Sequence, residues 1–143
     1  MERDSVACIL CVDDDEDVLK WLGEALRNSG YSTLTALSGN QGLRLLLQNS
    51  VDLVVLDYEM PGMNGNVVAQ AIHRSKPELP IILFTGIPDD IPDIARKNVN
   101  GVVYKADFRG LLALVSKLIK KSPGKREGHE PVLRDCRRGR TSS

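Results

Sequence analysis

Four short runs of continuous apolar residues constrain this chain more than any other feature: Val6 to Val12, Leu53 to Leu56, Ile81 to Phe84 and Gly101 to Tyr104. A strand that is apolar at every position, rather than at alternate ones, is buried on both faces, as in a parallel sheet covered by helices. Between the runs the apolar spacing changes to three and four: Val18, Leu19, Leu22, Ala25 and Leu26, then Leu43, Leu46 and Leu47, then Val67, Val68, Ala71 and Ile72, and finally Leu111 through Ile119. That spacing predicts amphipathic helices. A short strand over Thr33 to Ala36 completes a five-fold β-α alternation, and right-handed crossovers then predict an α/β fold, a doubly wound five-stranded parallel sheet with helices on both faces.

Punctuation along the chain agrees with this reading. Asn28-Ser29-Gly30 closes the first helix, Ser38 caps the second, Pro61-Gly62 separates the third strand from the third helix, and Ser122-Pro123-Gly124 ends the fifth. The fourth connection carries Pro88 and Pro92, so a helix there can begin only at about Pro92.

With 143 residues the chain fits a single domain, expected over residues 1–121. Aromatic residues make up only 4%, so aliphatic packing has to supply the core. Lys plus Arg equals Asp plus Glu, yet residues 122–143 carry six basic against three acidic side chains. This basic tail lacks apolar periodicity and is expected to be disordered. A nucleic-acid-binding arm is disfavoured, because three acids dilute Arg137-Arg138-Gly139-Arg140 and no aromatics are interleaved with it. The N-terminal apolar run spans about seven residues and ends in three acids, which suits neither a signal peptide nor a membrane span; a cytoplasmic location without membrane contact is expected. Cys8-Ile9-Leu10-Cys11 has redox or metal spacing, but side chains three apart on a strand point to opposite faces, so the two are expected to be small apolar strand residues.

In open α/β sheets ligands gather beyond the carboxyl ends of the strands. Four of the five ends are polar: Asp13-Asp14-Asp15 after the first run, Asp57 after the third strand, Thr85 after the fourth and Lys105 after the fifth. Asp13, Asp14 and Asp57 in one partly dry cleft would repel one another, raising their pKa values or requiring a cation. Oxygen donors without His or Cys favour a hard ion, Mg²⁺, which keeps waters that a phosphate can replace. Asp15, Glu16 and Asp17 are accounted for by the dipole of the first helix, whereas an isolated Asp57 after four aliphatic residues is not.

These segments, Val12-Asp13-Asp14-Asp15, Asp57-Tyr58-Glu59-Met60-Pro61-Gly62-Met63-Asn64-Gly65, Phe84-Thr85-Gly86 and Tyr104-Lys105, resemble the ordered signature of the receiver domains of response regulators in two-component phosphorelay signalling. The resemblance spans residues 6 to about 121. It implies the flavodoxin-like strand order 2-1-3-4-5 and a phosphoacceptor signalling domain rather than an enzyme, one that assists its own phosphorylation and dephosphorylation. Asp57 would take a phosphoryl group from a phosphohistidine of a sensor histidine kinase or phosphotransfer protein. Mg²⁺ would be held by Asp14 and Asp57, by the Glu59 backbone carbonyl, and by Asp13 through water. Thr85 and Lys105 would bind the phosphoryl oxygens, while the face made by the fourth helix, fifth strand and fifth helix would meet a downstream protein. Such electrostatic stabilisation is what phosphoryl transfer requires.

The chain departs from the family pattern at three places. Ala106 replaces the proline that usually follows the lysine by a cis peptide; a cis bond to alanine costs about 2.5–4 kcal/mol, so a trans bond is expected. Val102 stands where an aromatic switch residue is common, and Gly86 where alanine is usual. Together these imply an altered switch, with Tyr104, of the same strand parity as Val102, more simply read as a packed strand-end residue. The Glu59 side chain and Ile87 flank the expected phosphate and are candidate modulators of its lifetime. Two other functions compete: a phosphorylation-independent pseudo-receiver, supported mainly by Ala106, and a haloacid-dehalogenase-type phosphatase, opposed by the short chain and by Glu59 where aspartate is normal.

Overall fold

The computed structural model describes residues 6–121, so the expectations for the tail after Lys121 lie outside the described residues. The elements run β1 (Cys8–Val12), α1 (Glu16–Asn28), β2 (Ser32–Ala36), α2 (Gly39–Gln48), β3 (Leu53–Leu56), α3 (Gly65–Ser75), β4 (Ile81–Thr85), a single 3-10 turn (Pro88–Asp90), α4 (Asp93–Arg96), β5 (Gly101–Tyr104) and α5 (Phe108–Lys121). All neighbouring strands pair in parallel, in the order β2-β1-β3-β4-β5. The three inner strands, β1, β3 and β4, are buried at every residue, whereas the edges β2 and β5 are only partly covered. This is the burial that continuous apolar runs demand.

Successive strand residues feed two cores on opposite faces of the sheet. Leu10, Val12, Val54, Leu56 and Leu83 pack with Leu46, Val68, Ile72 and Ala95 of α2, α3 and α4. On the other face Ile9, Cys11, Leu53, Val55, Ile82 and Phe84 meet Leu19, Leu22 and Leu26 of α1 and Leu111 and Val115 of α5. Cys11 is a free thiol in the second core, and burial pushes its pKa up to about 12. Cys8 has the opposite strand parity and does not share a site with it.

Helix boundaries follow side-chain caps. Asp15 accepts from the N–H groups of Asp17 and Val18, Ser38 from Gln41, and Asn64 from Asn66 and Val67. Gly30, at φ 98°, closes α1 in a conformation that side chains with a Cβ disfavour. The fourth helix shrinks to four residues with Pro92 at its N-cap. Ile87 and Ile91 each precede a proline, which drives them out of the α region and leaves only the 3-10 turn between them.

Candidate functional site

Backbone pairing brings the strand ends together. The Asp13 N–H donates to the Ala36 carbonyl at 3.1 Å, the Asp57 N–H to the Val12 carbonyl at 2.9 Å, and the Lys105 N–H to the Thr85 carbonyl at 2.8 Å. Asp13, Asp14 and Asp57 each offer a carboxylate oxygen, all within 4.8 Å of one another. Asp13 and Asp57 are buried and Asp14 is exposed, so the cluster opens to solvent on one side. Asp13 is fixed at both oxygens, accepting from the Asp15 N–H through Oδ1 at 2.9 Å and from Lys105 Nζ through Oδ2 at 2.8 Å. The same ammonium lies 3.6 Å from Asp57 Oδ1.

The β3–α3 turn holds Asp57 by a close backbone approach. Gly65 donates to the Tyr58 carbonyl at 2.7 Å, and a Cβ there would stand 2.7 Å from both the Asp57 carbonyl oxygen and Tyr58 Cα. Only glycine fits. Gly62, at φ 83°, makes the turn, and Met60 and Met63 pack against the α3-side core as apolar residues.

Burial, foremost, raises the Asp57 carboxyl from 3.8 to about 6; the nearby charges of Asp13 and Asp14 push the same way, while Lys105 and the Glu59 backbone N–H oppose them. Burial lowers the Lys105 pKa, but its hydrogen bond to Asp13 and the charges of Asp57 and Asp13 outweigh this and raise it overall. The result is a compact oxygen cluster with more negative charge than one ammonium balances. Its hard donors suit a Mg²⁺-sized cation.

Thr85 is the last residue of β4 rather than the one after it, and it is 1% exposed. Its Oγ1 accepts from the Ile87 N–H at 3.3 Å, which leaves its own O–H able to donate. Among the described residues no peptide bond is cis, so the Lys105–Ala106 bond is trans, and the lysine still reaches both carboxylates. Asp107 then caps α5, its backbone N–H donating to the Tyr104 carbonyl and its side chain accepting from the Gly110 N–H.

Val102 packs against the α4-side core. The expectation of a packed Tyr104 is corrected: the ring is 50% exposed and lines a surface groove with Gly86, Ile87, Pro88, Asp89 and Asp90. The reason is local. Tyr104 ends the edge strand β5, which is only partly covered. Glu59 is exposed beside Tyr58, Met60, Pro61 and Asn64, and Ile87 is half-buried.

Sequence patterns did not reveal the contacts of Trp21, Phe84 and Phe108. The Trp21 ring stacks on Phe84 with centroids 6.3 Å apart and meets Phe108 edge-on at 5.3 Å. Nor did they reveal the Arg96 guanidinium, which reaches back to the carbonyls of Pro88 and Ile91. Residues eight and five positions apart carry no periodic signal. The Asp107 cap was readable, standing just before an apolar helical pattern.

A family model, the response regulator receiver domain, matches residues 9–116. The transcriptional regulatory protein GlrR of Escherichia coli is 42% identical over 96 residues, covering 67% of this chain and 21% of GlrR. The transcriptional regulatory protein AfsQ1 of Streptomyces coelicolor is 37% identical over 114 residues, covering 73% of this chain and 50% of AfsQ1. The chain thus spans about a fifth to a half of the length of these two relatives. Among solved structures, response regulator protein TrrA of Thermotoga maritima, in complex with Mg²⁺-BeF, is similar at TM-score 0.76 and 35% identity, covering 79% of this chain and 99% of TrrA. TrrA in complex with histidine kinase ThkA is similar at TM-score 0.74.

Proposed function

Since this chain belongs to the response regulator receiver domains of two-component signalling, we propose that it accepts a phosphoryl group on Asp57 from a phosphohistidine and thereby changes what it binds. The observation that carries this is Lys105 Nζ standing 2.8 Å from Asp13 and 3.6 Å from Asp57, beside three carboxylates gathered within 4.8 Å. A raised pKa makes Asp57 a more basic nucleophile that is still largely ionised above pH 6.

In the transfer, an Asp57 carboxylate oxygen bonds to phosphorus as the P–N bond to the donor imidazole breaks and its electron pair returns to the ring nitrogen. The product is an acyl phosphate. Asp14, Asp57, the Glu59 carbonyl and, through water, Asp13 would hold Mg²⁺, which would supply charge neutralisation for the phosphoryl oxygens. Lys105 turns from Asp13 towards the incoming oxygens, and the free O–H of Thr85 donates to one of them. Glu59 and Ile87 flank the approach of water and so tune hydrolysis.

A sensor histidine kinase or phosphotransfer protein is the proposed donor, a reading supported by the similarity to TrrA, which has been crystallised with a histidine kinase. The proposed receiver of the signal is a protein at the face of α4, β5 and α5, where Tyr104 is exposed. No helix among the described residues is long and apolar enough to cross a membrane, and the proposed setting is the cytoplasm. Incubation with Mg²⁺ and acetyl phosphate followed by intact-mass measurement tests the acceptor. A gain of one phosphoryl group that is lost in Asp57→Ala is expected; no Asp57-dependent gain, from acetyl phosphate or a cognate kinase, would refute it.

A further inference from the structure

Four loops frame the site, and three are pinned by a side chain that accepts backbone N–H groups at the start of the next helix: Asp15 for α1, Asn64 for α3 and Asp107 for α5. The loop between β4 and α4 has no such pin, since neither the 3-10 turn nor α4 has a side-chain cap. It also begins at Gly86, whose Cβ position is open space, and its two prolines contribute no N–H. Of residues 86–92 only Ile91 is buried. Beyond the Ile87 N–H bond to Thr85 and the Asp90–Ile87 bond of the turn itself, such a segment would be loosely held.

Arg96, the last residue of α4, supplies the missing anchor from the far side. Its Nη2 donates to the Pro88 carbonyl at 2.6 Å and its Nε to the Ile91 carbonyl at 3.2 Å, so one planar guanidinium clamps both ends of the 3-10 turn. Asn98 fastens the other end of α4, donating to Asn66 on α3 at 3.3 Å. Pro88 directly follows Ile87, and the Ile87 N–H occupies a lone pair of Thr85 Oγ1. A hydroxyl whose acceptor side is filled aims its proton elsewhere, and for a β-branched residue with a stiff χ1 few directions remain.

We propose that Arg96 is a positioning residue for Thr85: by clamping Pro88 and Ile91 it fixes the Ile87 N–H, which in turn aims the Thr85 hydroxyl at the phosphoryl position. This rests on the reading of Asp57 as the acceptor. It assigns a task to a residue of α4 outside every strand-end motif, acting on the loop where Gly86 departs from the family pattern.

Titration of the full chain with Mg²⁺, and then with beryllofluoride as the phosphoryl stand-in, tests it. Arg96→Ala is expected to leave Mg²⁺ affinity unchanged, because the carboxylates stand on other loops, and to weaken beryllofluoride binding about two- to ten-fold, the range for a lost hydrogen bond. Arg96→Lys, keeping one donor, is expected to fall between. In a Thr85→Ala background Arg96→Ala is expected to add nothing, a result that a merely structural role would not produce. Unchanged beryllofluoride affinity in folded Arg96→Ala, or an equal loss with and without the threonine, would overturn the proposal. Should Arg96→Ala fail to fold in a thermal melt, Arg96→Lys and Arg96→Gln are read by the same criteria in both backgrounds. A wild-type chain that binds no beryllofluoride with Mg²⁺ would instead overturn the Asp57 reading itself.

Discussion

Asp57 is more costly to ionise in the folded chain than in the unfolded one, because burial and two neighbouring carboxylates outweigh Lys105. A carboxyl whose folded pKa is raised contributes stability that is fully present below its unfolded value, 3.8, and lost as pH rises through about 6. A rise of about two pKa units corresponds to about 3 kcal/mol. Metal-free Asp57→Asn is therefore expected to be more stable than wild type at pH 7.5, by an amount of that order, and the gap is expected to close near pH 4. Urea melts across that range check it, and a gap that widens towards acid would contradict the electrostatic account. Added Mg²⁺ is expected to narrow the gap at neutral pH, since the cation stabilises only the chain that keeps the carboxylate. Cys11 gives a second test. With its thiol pushed up to about 12 inside the α1/α5 core, iodoacetamide at pH 8 is expected to label it only after unfolding.

Between elements, Gly65 lies so near the backbone of Asp57 and Tyr58 that a Cβ there would stand 2.7 Å from it. Gly65→Ala forces the β3–α3 turn to move, because the obstacle is backbone and not a flexible side chain. A loss of about 1–3 kcal/mol, the range for overpacking, is expected in a urea melt, together with weaker Mg²⁺ binding. Asp15→Ala removes the α1 cap and is expected to destabilise the fold by about 1 kcal/mol; because the Asp15 backbone N–H still bonds Asp13, Mg²⁺ affinity should change little. The sequence showed most elements within one or two residues, since inner strands must be apolar throughout and helix caps are short-range. It did not show how the β4–α4 loop is held. Prolines at 88 and 92 predict where a helix cannot be, but nothing in a local pattern says that Arg96 turns back onto Pro88 and Ile91. Likewise the exposure of Tyr104 at the end of an edge strand is a tertiary fact.

Across the whole molecule, parallel topology is what converts scattered residues into a site. Asp13, Asp57, Thr85 and Lys105 are separated by up to 92 positions, yet strand pairing sets them together at the carboxyl end of one sheet. Their proximity was legible because every apolar run ends in a polar residue on the same side. What was not legible is the balance within the cluster, where the lysine sits nearer to Asp13 than to Asp57. Mapping the acceptor tests the central claim most directly. After exposure to acetyl phosphate and Mg²⁺, borohydride reduces an acyl phosphate and converts the phosphorylated aspartate to homoserine, which peptide mass spectrometry locates. The account predicts homoserine at position 57 alone; homoserine at Asp13 or Asp14, or at no aspartate, would contradict it.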